Sequence, residues 1–174
     1  MSATIHIALG SNRRHGRHGA PVAIVVAAVA AIAAEGLEVV AESRVFTTAP
    51  MGPSKRAFAN AVIAVRTDLS LAALLVVLKA IEARFGRRRG QRWGPRVLDL
   101  DIIAAGDRVT PSPHRWRHAR TGLIVPHRGL AERAFVLDPL SEIAPRWRHP
   151  VLRLHARQLR ARLRRPKPLA AGSP

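Results

Sequence analysis

Apolar and polar positions alternate over Ile5-His6-Ile7-Ala8-Leu9, a two-residue period that predicts a strand, and Gly10-Ser11-Asn12 closes it. The apolar run from Val22 to Ala34, with Pro21 in its opening turn and Gly36 near its end, predicts a buried first helix. Leu37 to Phe46, which holds Val39, Val40 and Val45, reads as a strand, and the stretch from Thr47 to Pro53 breaks it into a loop. Phe58 to Val65 reads as the next strand. Leu71 to Phe85 reads as a helix, with Asp68 or Ser70 as its N-cap and Gly86 as its stop. The period returns to two in Leu98-Asp99-Leu100-Asp101-Ile102. The order strand, helix, strand, strand, helix, strand predicts an α+β fold, a ferredoxin-like βαββαβ sandwich in which helices pack on one face of an antiparallel sheet. The other face is then left for ligands.

From Gly106 to Gly122 the periodicity gives way to Pro, His and Arg, which predicts a surface loop. Apolar pattern resumes at Leu123-Ile124-Val125 and at Ala134-Phe135-Val136-Leu137. Val151 to Arg165 alternates Leu and Arg as a two-faced helix does, and Pro166 and Pro168 stop it. The expectation is one domain over residues 1–165 and a disordered tail over 166–174.

Composition narrows the partners. Of the 174 residues, 29 are Lys or Arg and 11 are Asp or Glu, so the surface potential is strongly positive and draws anions. The chain contains no cysteine, which excludes disulfides and thiolate metal sites. Arg13, Arg14 and Arg17 before the apolar run imitate a signal peptide, but a strand and turn precede them. The run is also shorter than the roughly 20 residues that span a bilayer. The location expected is therefore cytoplasmic, without a membrane partner.

The candidate chemistry lies in Arg92-Trp93-Gly94-Pro95-Arg96-Val97-Leu98-Asp99-Leu100-Asp101-Ile102. On a strand Asp99 and Asp101 share one face and Leu98, Leu100 and Ile102 the other. Two adjacent carboxylates repel each other unless a cation sits between them, and their hard oxygens suit Mg²⁺. A bare D-x-D is more often a solvated strand edge; the flanking Arg-Trp-Gly-Pro-Arg favours a magnesium-phosphate site. Trp93 sits in a polar loop with no strand or helix face to bury against, which favours covering a flat ligand. The loop G-x-x-x-x-G-K-[ST] of P-loop kinases is absent. His114 and His118 are four apart, but without a third ligand they read as solvated.

Taken in order, Gly10-Ser11-Asn12, the Thr48-to-Pro53 loop, Phe58-x-Asn60, Ile81-Glu82, Gly86-Arg87, the stretch at 92–102, Pro126-His127 and Arg133-x-Phe135-Val136-Leu137-x-Pro139-Leu140 resemble the 6-hydroxymethyl-7,8-dihydropterin pyrophosphokinases of folate synthesis. The resemblance runs from Ile5 to about Pro150. It implies transfer of pyrophosphate from ATP to the pterin's hydroxymethyl oxygen, leaving AMP, with two Mg²⁺ ions held by Asp99 and Asp101. It further implies Arg87 and Arg96 as catalytic phosphate clamps, and ATP contacts from Glu82, Arg88, Arg92, Trp93, His127 and Arg133. Pterin recognition falls to Thr48, Ala49, Pro50, Met51, Phe58, Asn60 and Phe135, although Phe58 and Phe135 lie in apolar runs where ordinary core packing is common. The sequence departs from the family at Ala49, where a second proline is common, and at Arg128, where an aromatic residue often follows the histidine.

A rival reading is a basic nucleic-acid-binding module, motivated by the charge and by the arginines between Arg146 and Lys167. Aromatic residues for base stacking are scarce, with no tyrosine, and the acidic pair would repel a phosphate backbone. The expected partners are thus small molecules, ATP and the pterin, acting on a monomer.

Overall fold

The computed structural model describes residues 3–48, 57–86 and 97–165. Five strands form one sheet: β1 (Ala3–Ser11), β2 (Glu38–Glu42), β3 (Phe46–Thr48), β4 (Phe58–Thr67) and β5 (Asp99–Ala105). The order is β2-β4-β1-β5 with β3 also on β4, and every neighbouring pair is antiparallel. This is the predicted α+β plan. The expected strand over 37–46 ends at Glu42, and β3 resumes along the same edge of β4. At the break Ser43 Oγ accepts the Val62 N–H at 3.0 Å, a side-chain bond in place of a ladder bond.

Helix α1 (Pro21–Ala34) and helix α2 (Leu71–Arg84) cover one face of the sheet. Alternation builds that core: Ile5, Ile7 and Leu9 of β1 pack with Ile24, Val25, Ala28 and Ile32 of α1 and with Leu74, Leu78 and Ile81 of α2. Burying each of these Ile, Leu and Val side chains is worth about 1.5–3 kcal/mol. The N-cap of α2 is Ser70 rather than Asp68, its hydroxyl accepting the Ala73 N–H at 3.1 Å. Gly36 and Gly86 follow the two helices with φ of 79° and 83°, a left-handed turn that a side chain resists.

The second face is not entirely free, which corrects the expectation of helices on one face alone. Helix α4 (Ala134–Ile143) and helix α5 (Ala156–Arg164) make a second core with Val62 of β4 and Ile103 and Ala104 of β5. Asp138 joins these helices, accepting from Arg160 Nε at 2.7 Å and Arg164 Nη2 at 2.8 Å. Apolar residues at 136, 137 and 140 form a helical stripe that the short sequence run disguised. Within the expected loop 106–122 lies a one-turn helix, α3 (Pro113–Trp116), whose Trp116 is buried and donates its indole N–H to Pro126 O at 2.7 Å. The C-terminal helix begins at Ala156 rather than near Val151, because residues 149–154 turn about His149, whose Nδ1 accepts from Val151 and Leu152. The expected tail, 166–174, lies outside the described residues.

Candidate active site

Among the described residues, helices α4 and α5 cover only part of the second face, and the acidic strand begins in the part they leave. Asp99 and Asp101 are both half-buried on this face, while Leu98, Leu100 and Ile102 are buried on the other. Register across the sheet builds two rows. In the first, Asn60 of β4 stands opposite Gly10 of β1, and Gly10 stands opposite Asp99 of β5. In the second, Val62, Ala8 and Asp101 are aligned in the same way. Small residues at 8 and 10 thus leave a shallow floor between the amide of Asn60 and the two carboxylates. Asn60 is buried and its Nδ2 donates to Thr48 Oγ1 at 3.1 Å, which fixes the amide's orientation. Phe58 and Phe135 are half-buried, and Phe135 also packs against the second core, so part of its ring is ordinary packing.

A bulge in β5 supplies the next residue. Ile7 pairs with Ile102 and His6 with Ala104, so Ile103 is the extra residue, and its carbonyl accepts the backbone N–H of His127 at 2.9 Å. The segment before it is held by the Thr110–Val125 bridge and by Trp116 on Pro126 O. His127 Nδ1 accepts the Gly129 N–H at 3.1 Å, which leaves Nε2 to carry the proton of the neutral ring. Burial pushes this imidazole below its ordinary value; Asp101 pulls it up, Arg133 pushes it down, and Asp99 pulls it up by less. His127, Arg133, Asp99 and Asp101 therefore share one electrostatic neighbourhood. Arg133 is the N-cap residue of α4, and its guanidinium carbon lies 5.8 Å from the centre of the Phe135 ring.

Two features were missed in the sequence. Gly129 matters for space: a Cβ there would stand 2.6 Å from Arg133 Nε, so a side chain at 129 would push the guanidinium away. Glu82, expected to contact ATP, is fully buried at 0% exposure, and its Oε1 accepts the Leu100 N–H at 2.7 Å. The signal was available, since Glu82 falls four residues after Leu78 in the stripe Leu71, Leu74, Leu78, Ile81, where an apolar residue is the ordinary choice.

Ala49, Pro50, Met51, Arg87, Arg88, Arg92, Trp93 and Arg96 lie outside the described residues. Among the described residues no group of three or more His, Cys, Asp or Glu gathers into a metal cluster. The donor set on the open face is a pair of carboxylates, which suits a hard divalent cation that completes its shell with water and phosphate oxygens.

Residues 6–145 match the family model described as 7,8-dihydro-6-hydroxymethylpterin-pyrophosphokinase (HPPK). The chain belongs to this family. Its relatives include the 2-amino-4-hydroxy-6-hydroxymethyldihydropteridine pyrophosphokinases of Methylorubrum extorquens, 45% identical over 63% of this chain and 65% of the relative, and of Pseudomonas aeruginosa, 38% identical over 86% of each. The match to the Methylorubrum protein thus spans just under two thirds of that protein's length. The fold is shared with the Plasmodium falciparum HPPK-DHPS crystal structure with pteroate, at a TM-score of 0.69, 14% identity, and coverage of 93% of this chain and 42% of that one. None of the helices among the described residues is long and apolar enough to cross a membrane.

Proposed function

We propose that this protein is a pyrophosphokinase that transfers pyrophosphate from ATP to the hydroxymethyl group of 6-hydroxymethyl-7,8-dihydropterin, giving AMP and the pterin diphosphate in folate biosynthesis. Family membership and the row Asn60-Gly10-Asp99 support the reading, and the row carries it. It sets a fixed amide, able to read the rim of a flat heterocycle, beside the carboxylates that would hold the phosphates through a cation.

The hydroxymethyl oxygen attacks the β-phosphorus of ATP, the bond from that phosphorus to the α–β bridging oxygen breaks, and AMP departs with the bridging oxygen. The hydroxyl proton is lost as the new bond forms, and Asp99 and Asp101 are the carboxylates at hand to receive it. The same pair fits Mg²⁺, two ions by family resemblance, because Mg²⁺ needs only one or two carboxylates beside substrate phosphates and water. When bound, the metal neutralises phosphate oxygens and makes the attacking hydroxyl more acidic. Asn60, Thr48 and the rings of Phe58 and Phe135 hold the pterin in line, with Ala49, Pro50 and Met51 assigned to the same loop by resemblance. His127 and Arg133 lie on the nucleotide side, with Arg88, Arg92 and Trp93 assigned there by resemblance. Arg87 and Arg96 are assigned as clamps on the moving phosphates, and each such preorganised charge is worth about 10²–10³ in turnover. We further assign a single catalytic domain over 1–165, acting as a cytoplasmic monomer. The nucleic-acid reading gains nothing at this face, since the carboxylates oppose a phosphate backbone.

The test is to incubate the protein with ATP, Mg²⁺ and the hydroxymethyl dihydropterin and to separate the nucleotides. AMP formed in step with the pterin diphosphate is expected. ADP as the product would overturn pyrophosphoryl transfer.

A further inference from the structure

Among the described residues strand β5 ends the sheet, so its outer edge offers backbone N–H and C=O groups with no neighbouring strand there to take them. At Leu100 both groups are taken by side chains of α2. Glu82 Oε1 accepts the Leu100 N–H at 2.7 Å, Lys79 Nζ donates to Leu100 O at 3.2 Å, and the two side chains pair with each other at 2.7 Å. A carboxylate oxygen stands where a neighbouring strand would place a carbonyl, and an ammonium where it would place an N–H. One helical turn thus imitates one residue of a missing strand.

The position along β5 is telling. The N–H of Leu100 belongs to the peptide group that joins it to Asp99, and its C=O belongs to the group that joins it to Asp101. Fixing both peptide planes fixes the backbone from which the two carboxylates project. The chemistry is also costly for mere packing. Glu82 is fully buried in a stripe that otherwise carries Leu71, Leu74, Leu78 and Ile81. Lys79 stays partly exposed, but a carboxylate fully removed from water is costly, and a well-packed apolar residue in such a place is often neutral or stabilising. A charge kept in such a place points to a task other than stability.

We propose that Glu82 and Lys79 are positioning residues that hold Asp99 and Asp101 in register for the divalent cation, acting through the Leu100 backbone. The inference rests on the proposed function for the identity of the ligand, while its structural half stands alone. Loss of an outer partner of a metal ligand typically weakens metal affinity by about 10–100-fold.

The experiment measures Mn²⁺ binding by electron paramagnetic resonance in the presence of α,β-methylene ATP, and hydrogen exchange of the Leu100 amide without nucleotide. In Glu82→Leu the Leu100 amide is expected to lose protection and Mn²⁺ affinity to fall by about 10–100-fold. Glu82→Gln, which keeps an acceptor for the N–H, should restore most of both. Should Glu82→Leu fail to fold, Lys79→Met, which keeps the apolar stem and removes the donor to Leu100 O, is expected to weaken Mn²⁺ binding without unfolding the protein. Wild-type Mn²⁺ affinity in the folded variant, or a Gln variant as impaired as the Leu variant, overturns the proposal. Wild-type protein that binds no Mn²⁺ with the nucleotide analogue would instead defeat the functional reading, whatever the Leu100 amide does.

Discussion

Asn60 and Asp99 face the same side of the sheet from strands on opposite flanks of β1, with Gly10 between them in one row. A Cβ built on Gly10 would lie 3.4 Å from Asn60 Oδ1, at the margin of ordinary contact, so anything branched beyond it enters the space over the floor. Gly10→Val suits a strand conformationally and fills that space with two methyl groups. The expected result is a fall in kcat/KM of about 10²-fold, the cost of misplacing a reacting group by roughly 1 Å. A thermal melt of the same variant should show little change. A loss of stability that tracks the loss of turnover would mean that Gly10 serves the sheet and not the site.

The acidic pair makes a second prediction with two readouts. Asp101→Asn keeps the shape and removes the charge, and turnover is expected to fall by about 10²–10³-fold. The neighbouring histidine reports on the same charge. Asp101 raises the His127 pKa against the larger effect of burial, so its removal should lower the His127 value further, and Asp99→Asn should do so by less. Titration of the imidazole by NMR in the ligand-free variants measures this. An unchanged His127 value in Asp101→Asn would place the carboxylate away from His127 and break their shared electrostatic neighbourhood.

Much of this arrangement was legible in the sequence, and the exceptions have physical causes. A two-residue period reports which face a strand buries, so Asp99 and Asp101 could be set together before any fold was known. Gly10 and Asn60 could be singled out but not aligned, because register is a relationship between distant segments. Glu82 is assigned to ATP by resemblance to the family, which says nothing of the bonds it makes inside the fold. Its hydrogen bond to Leu100 reaches a backbone N–H 18 residues away, and such a group carries no sequence signature. The second layer was obscured for a related reason: Ala134–Ile143 contains Pro139, which argues against a helix interior, yet the helix continues through it over a packed stripe.

The same second layer carries a pH dependence of stability. His6 of β1 and His149 are both buried, and both sit beside Trp147, with ring centres 6.3 and 5.6 Å from it. Burial lowers each imidazole to about 4. An unfolded histidine titrates near 6.5, so between about pH 6.5 and pH 4 the unfolded chain binds a proton at each site that the folded protein does not. Stability is then fully present above about pH 6.5, falls as the pH drops toward 4, and gains no further loss from these groups below that. Each histidine contributes roughly 3 kcal/mol across the window, at about 1.4 kcal/mol per pH unit. Urea denaturation at pH 7.5, 6, 5 and 4.5 should show this decline. His6 Nδ1 is buried without a hydrogen-bond partner among the described residues, so His6→Phe leaves no partner stranded at that atom. The variant should be less sensitive to acid by one proton's worth of slope, and an unchanged slope would show that His6 is already charged in the folded protein or open to water.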